Sequence, residues 1–241
     1  MPLMPCVKQI DLLNGIENPD WSRKKAKKGV IMKIGIIGSG NVGGSLGKIW
    51  AAKGHEVMFS SRHPEKIIAL AESAGKNACF GLPEEAAKFG DVIALAVPWS
   101  QAENALKSAG SLNGKILIDC INPLKPDYSG LAVGLTTSAA EEDAKVAKGA
   151  KVVKAFNTTF AVLMASESRM FGDTSPTGFY CGDDAAAKAI VSDLIRDTGL
   201  DPIDAGPLEM ARCLESLAFL MIDLGFNQKM GTNIALRLLK R

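Results

Sequence analysis

The chain has 241 residues, 47% of them hydrophobic and 22% charged, with a formal net charge of +2. That is the make-up of a globular protein with room for one sizeable core or two small ones. No window reaches the roughly 18 consecutive apolar residues of a membrane span, and the charge balance gives no reason to expect a nucleic-acid partner.

Residues 1–31 carry the run Arg23-Lys24-Lys25-Ala26-Lys27-Lys28 and no apolar core of the kind a secretory signal needs. They hold six basic and three acidic residues, which leaves 22 basic and 23 acidic residues in the remainder. The slight basicity of the chain therefore belongs to this stretch. The expectation is a flexible leader, or an upstream start codon with Met32 the natural start since the first strand begins there; a functional basic arm is the alternative.

Ile34, Ile36 and Ile37 read as a buried strand. It feeds Gly38-Ser39-Gly40-Asn41-Val42-Gly43, and Leu46, Ile49 and Trp50 then mark a helix. The glycine spacing G-x-G-x-x-G in a strand–turn–helix context is that of a dinucleotide site. Gly38 permits the tight turn, Gly40 lets backbone approach a pyrophosphate, and Gly43 lets helix and strand pack closely. The free N–H groups and partial positive charge at the helix start suit phosphate.

The second strand runs from His55 to Ser60. A NAD site would end it in Asp or Glu, about 20 residues beyond the glycines. Here it ends in Ser60-Ser61-Arg62-His63, with Lys66 one helical turn on. A hydroxyl, a guanidinium and an ammonium hold a 2′-phosphate by charge-assisted hydrogen bonds, so the expected cofactor is NADP(H). Ser61 before Pro64 and Glu65 also fits a helix cap, and the two roles are compatible.

Further on, helix to about Ala74, a strand at Ala78–Phe80 and a helix near Pro83–Lys88 precede the apolar run Asp91–Val97. That run fits a strand buried on both faces of a parallel sheet. A helix at Gln101–Ala109, a strand at Lys115–Asp119, a loop over 125–137, a helix at Ser138–Ala147 and a strand at Lys151–Phe156 follow. The alternation predicts an α/β doubly wound sheet. Beyond it come a strand at Gly178–Cys181, an amphipathic helix at Asp183–Thr198, an extended Asp201–Asp204, a long apolar helix opened by Pro207 and a last short helix at Thr232–Leu239. The expected division is an NADP-binding Rossmann domain over 32–160 and a small C-terminal α+β or helical part over 161–241.

The five cysteines, Cys6, Cys79, Cys120, Cys181 and Cys213, are scattered and form no C-x-x-C pair. Neither zinc nor a disulfide framework is indicated; reduced thiols in a cytoplasmic protein are expected. His55 and His63 are the two histidines, too few for a His-based triad or metal site.

These residues resemble the NADPH-dependent deazaflavin (coenzyme F-420) reductase family, and more distantly the reductase domains of the STEAP metalloreductases. The likeness runs from Met32 nearly to Arg241. It rests on the glycine turn, Gly54-His55-Glu56, Ser61-Arg62 with Lys66, Val97-Pro98 and Asn122-Pro123-Leu124. It continues with Lys154-Ala155-Phe156-Asn157-Thr158, Cys181-Gly182-Asp183-Asp184, Asp204-Ala205-Gly206-Pro207-Leu208 and Met230-Gly231. The resemblance implies a Rossmann domain whose C-terminal part covers the cofactor cleft, and hydride transfer between NADPH and a flavin-like ring. It implies that Ser39 to Val42 hold the pyrophosphate, that Ser61, Arg62 and Lys66 hold the 2′-phosphate, and that Val97 and Ala155 line the nicotinamide end.

Such chemistry needs stacked rings and exclusion of water more than a catalytic side chain, so no catalytic or metal-binding residue is assigned. Pro98-Trp99 is placed to pack on the nicotinamide, or Trp99 is plain core. Asn157 and Thr158 are placed to bond a ring carbonyl, or cap the next helix. Met164, Met170, Met221 and Met230 fit an adaptable wall, or ordinary core. The acceptor stays open among deazaflavin F-420, FMN, FAD, a quinone and a ferric chelate. Rival readings are a reductase of small carbonyl or imine substrates, which wants a positioned proton donor, and a non-catalytic NADPH-binding redox sensor. The apolar C-terminal helix suggests a homodimer.

Overall fold

The computed structural model describes residues 30–241; the expectations for the N-terminal extension fall almost wholly outside them. In chain order the elements are β1 (Lys33–Ile37), α1 (Asn41–Ala52), β2 (Glu56–Ser60), α2 (Ile68–Ala74), β3 (Ala78–Gly81) and α3 (Pro83–Phe89). Then follow β4 (Val92–Leu95), α4 (Trp99–Ala109), β5 (Ile116–Asp119), α5 (Ala139–Val146), β6 (Lys151–Ala155) and α6 (Ala161–Ala165). The chain continues with β7 (Thr177–Gly182), α7 (Ala185–Asp197), β8 (Asp201–Asp204) and α8 (Ala211–Phe226). Short 3₁₀ turns at Pro64–Ile67 and Leu208–Met210 lead into α2 and α8.

All eight strands form one sheet in the order β3-β2-β1-β4-β5-β6-β7-β8. Neighbours from β3 to β6 are parallel. β7 runs antiparallel to β6 and β8 parallel to β7. This is the expected doubly wound Rossmann sheet, extended by two C-terminal strands. The strand order reverses between β1 and β4, which opens a crevice at their carboxyl ends.

Both faces of the sheet are covered, which is why central strands such as β4 are apolar at every position. One core layer joins Leu46 and Trp50 of α1, Ala71 of α2, Met164 of α6 and Val191 and Leu194 of α7 to the sheet. The other joins Ala87 of α3, Ala102 and Leu106 of α4, Ala139 and Ala140 of α5, and Leu214 of α8. Trp50 donates from Nε1 to the carbonyl of Leu194 at 3.1 Å and meets Phe156 edge to face, centroids 5.8 Å apart. His55 ties the start of β1 to α7. Its Nδ1 accepts from the N–H of Met32 at 3.1 Å, so its proton sits on Nε2, 2.9 Å from Asp197 Oδ2.

Three findings depart from the sequence expectations. Residues 232–239 are irregular rather than helical. The N–H of Thr177 donates to the carbonyl of Leu236 at 2.8 Å, and the N–H of Leu238 donates to Thr177 Oγ1 at 2.9 Å. A short helix gains too little from its own hydrogen bonds to compete with these contacts to β7. Cys120, Cys181 and Cys213 are free thiols, whereas Cys79 is disulfide-bonded. Lastly, a cluster of charges lies buried in the second core layer.

Lys154, fully buried on β6, stands in register with Asp119 of β5. Its Nζ donates to Asp119 Oδ2 at 3.3 Å, to Glu215 Oε1 of α8 at 2.7 Å, and to the carbonyl of Ile121. Burial opposes its charge, but the two carboxylates outweigh that and hold its pKa above the ordinary lysine value. Glu215 also accepts from the N–H groups of Ala139 and Ala140 at the start of α5. Asp143 of α5 is buried nearby with Oδ2 unpartnered. Desolvation and the charge of Asp119 push its pKa up to about 8.

Among the described residues, no helix is long and apolar enough to cross a membrane. Replacing Lys154 with Met leaves two buried carboxylates unpaired, and should cost about 3–5 kcal/mol in urea unfolding. Asp143 titrates higher in the folded state than its ordinary 3.8. Its contribution to stability is thus present at low pH and is lost as pH rises from about 4 through about 8. The melting temperature of Asp143→Asn should accordingly fall less than that of the parent over that window.

Candidate active site: a dinucleotide cleft at the strand switch

The carboxyl ends of β2, β1 and β4 enclose a cavity of about 250 Å³. Ile37, Gly38 and Ser39 line it at the end of β1, Ser60 to Arg62 at the end of β2, and Val97 and Pro98 after β4. Pro83 at the start of α3 adds to the lining, and the rest of the wall is a face of α4, where Gln101, Asn104, Ala105 and Ser108 recur at helical spacing.

The glycine turn takes the shape its spacing predicts. Gly38 sits at φ +98°, and a Cβ there would lie 2.5 Å from the carbonyl oxygen of Ala96. A Cβ on Gly43 would lie 2.1 Å from the carbonyl oxygen of Gly38, so α1 can approach β1 this closely only without a side chain. A Cβ on Gly40 would meet nothing within 4 Å. That open space lies where Gly40 caps the 12-residue α1, which has no side-chain cap and no acid in its first turn. The first N–H groups of α1 thus have no side-chain competitor for an anion. Ser39 Oγ donates to the carbonyl of Ser60 at 3.0 Å, and Ser60 Oγ to that of Ile36 at 2.6 Å, pinning the turn to β2. Asn41 is exposed, while Val42 packs partly buried against the core.

At the end of β2, Ser61 Oγ accepts from the N–H of His63 at 3.0 Å. Ser61 thereby closes its own turn, and the following 3₁₀ turn starts at His63 without a side-chain cap. Arg62 and Lys66 are exposed. Among the described residues neither is held in a salt bridge; His63 and Glu65 pair with each other at 3.6 Å.

Farther along the sheet, the loops after β5 and β6 meet through two asparagines. Asn122 Nδ2 donates to the carbonyl of Asn157 at 2.8 Å. Asn157 Nδ2 donates to Asn122 Oδ1 at 3.1 Å and to the carbonyl of Leu214 at 3.0 Å. Asn157 is buried, and its Oδ1 has no partner. It does not cap the next helix, which begins from Phe160. Ala155 is fully buried in the core, outside the lining of the 250 Å³ cavity. Trp99 lines a second cavity on the other side of α4 rather than the cleft. Met164 and Met221 are core residues, and Met170 and Met230 are exposed.

Arg62 is the one titratable side chain lining the cleft among the described residues. Burial pushes the Cys181 thiol up to about 12, which makes it no nucleophile at neutral pH. Two groups of residues were missed by sequence reasoning. The polar stripe on α4 carries a signal, polar residues at helical spacing directly after a buried strand. So does Lys154, a lysine inside an apolar strand. The partners of Lys154 come from distant segments and leave no local trace.

The comparisons with known proteins agree with this fold. A family model described as NADP oxidoreductase, coenzyme F420-dependent, matches residues 33–123. The rat metalloreductase STEAP3 is 32% identical over 86% of this chain, but the match spans 40% of that protein's length. The F420-dependent NADP reductase of Methanothermobacter marburgensis is 30% identical over 82% of this chain and 94% of its own. A crystal structure from Arthrobacter sp. FB24, assigned as an F420-dependent NADP reductase, superposes with a TM-score of 0.78. It is 30% identical and covers 87% of this chain and 100% of that one. With matching motifs, a matching sheet and near full-length similarity, the chain belongs to the F420-dependent NADP reductase family of oxidoreductases.

Proposed function

We propose that this protein transfers hydride between NADPH and a deazaflavin- or flavin-type acceptor, with NADP(H) lying across the carboxyl ends of β2, β1 and β4. The observation that carries the reading is the cleft lining itself: a glycine turn open to a pyrophosphate, an arginine at the end of β2, and no carboxylate beside it. When bound, NADPH supplies the hydride.

The residues of the chain bind and orient. The N–H groups from Ser39 to Val42 offer the pyrophosphate the positive end of α1. Ser61, Arg62 and Lys66 take the 2′-phosphate, and no carboxylate at the strand end repels it. Val97 and Pro98 give the nicotinamide an apolar wall. Asn157, anchored by Asn122 and Leu214, keeps Oδ1 free to accept from an amide N–H such as that of the carboxamide. These residues fit the dinucleotide: the space over Gly40 is open, and the unpartnered Oδ1 has an acceptor's role to fill.

Ring-to-ring transfer asks for positioning and exclusion of water rather than for an acid at the substrate. The deazaflavin is the first acceptor to test because relatives similar over nearly their full length are F420-dependent NADP reductases.

The test follows the near-ultraviolet absorbance of reduced nicotinamide with NADPH or NADH and a panel of deazaflavin F-420, FMN, FAD and ferric chelate. NADPH-specific reduction of the deazaflavin is expected. Turnover with FMN or FAD alone would change the acceptor, and NADPH binding without turnover on any acceptor would overturn the reading. Arg62→Asp should weaken NADPH binding by about 1.5–3 kcal/mol, roughly ten- to a hundredfold, and narrow or reverse the preference over NADH. Titration of both nucleotides by fluorescence checks it.

A further inference from the structure

On the side of α4 away from the cofactor cleft lies a second cavity, of about 530 Å³, between α4 and α5. It is within the size range of small-molecule sites. Trp99, Val133 and Val146 give it apolar surface, Glu103, Glu142 and Asp143 give it three acids, and Lys145 gives it one cation. Glu103 and Glu142 are matched by exposed lysines, Lys107 at 2.6 Å and Lys145 at 2.7 Å. Asp143 has no such match. It is 2% exposed, and its Oδ2 has no hydrogen-bond partner. A buried polar atom left without a partner is costly, and a ligand that supplies one recovers that cost.

The sign of the ligand follows from the surrounding charges. Behind Asp143 stand Asp119 of β5 and Glu215 of α8, with Lys154 of β6 as the one cation among them. The interior is therefore already negative before Asp143 ionises. An anion, including any phosphate-bearing cofactor, is disfavoured here, while a cation meets a carboxylate beside Trp99. We propose that this cavity is a second small-molecule site, separate from the cofactor cleft, for an organic cation: an ammonium or amidinium group on a flat apolar body. The cation takes the place of the proton that Asp143 otherwise retains, so binding releases a proton to solvent below about pH 8.

The two cavities share no lining residue, so a cation and NADP⁺ should bind together. The test is calorimetric titration of benzamidine into the full chain saturated with NADP⁺, with neutral benzamide as the matched control. Benzamidine should bind, benzamide should not, and affinity should rise between about pH 6 and about pH 8.5 as Asp143 yields its proton. Asp143→Asn should weaken binding about tenfold or more. Should that variant fail to fold, Glu103→Gln, at an exposed position on the rim, should weaken it by a smaller factor. Absence of benzamidine binding, equal binding of both compounds, an affinity unchanged by the variants, or competition with NADP⁺ would each overturn the proposal.

Discussion

A single ammonium group out of reach of water fixes how half of this molecule is assembled. Lys154 Nζ touches Asp119 on the neighbouring strand, the carbonyl of Ile121 just beyond it, and Glu215 on α8. Glu215 passes the constraint on by accepting from the first N–H groups of α5, while Asp119 accepts from the N–H of Ile121 at 2.7 Å and shapes the exit from β5. Desolvating these charges is expensive, and only close geometry with saturated hydrogen bonding offsets it. The consequence is positional. β5, β6, α5 and α8 cannot slide independently, and Asn122 and Asn157 lie immediately after the two strands so tied.

The half of the sheet before β5 was legible in the sequence because its signals are local. A buried strand, a glycine turn and a helix follow one another within residues 33–52, and each glycine has the steric reason its position suggests. The apolar run of β4 and the cationic end of β2 are likewise contiguous. The later part was legible as elements but not as contacts. Residues 232–239 have the composition of a short helix, yet their backbone bonds to Thr177. No local pattern announces a partner more than fifty residues away. The same limit hid the Asp119–Lys154–Glu215 cluster and the tie between Asn122 and Asn157. The charge of Lys154 was visible on β6, but its compensation was assembled from another strand and a helix.

Helix α4 separates two environments of different character. Toward the cofactor cleft it presents uncharged polar groups, Gln101, Asn104 and Ser108, which can bond to a ligand without adding charge beside Arg62. Toward α5 it presents Trp99 and Glu103. Pro98, which lines the cleft, is bonded directly in sequence to Trp99, which lines the other cavity. Ala102 and Leu106 hold the remaining face of the helix in the core.

The exit from β6 shows how packing and site geometry support each other. Phe156 is not glycine, yet its φ is +67°, a conformation that costs on the order of 1–3 kcal/mol. Its ring is buried edge-on against Trp50, whose indole is itself fixed to α7 through the carbonyl of Leu194. The core therefore dictates where the ring goes, and the backbone adopts the left-handed turn that puts it there. That turn ends the strand at Ala155 and sets the direction of the next residue, Asn157. With Nδ2 committed to Asn122 and Leu214, the amide of Asn157 has a fixed orientation and one free acceptor. A strained residue held by an aromatic pair thus converts the packing of α1 and α7 into the placement of a single oxygen at the carboxyl end of the sheet.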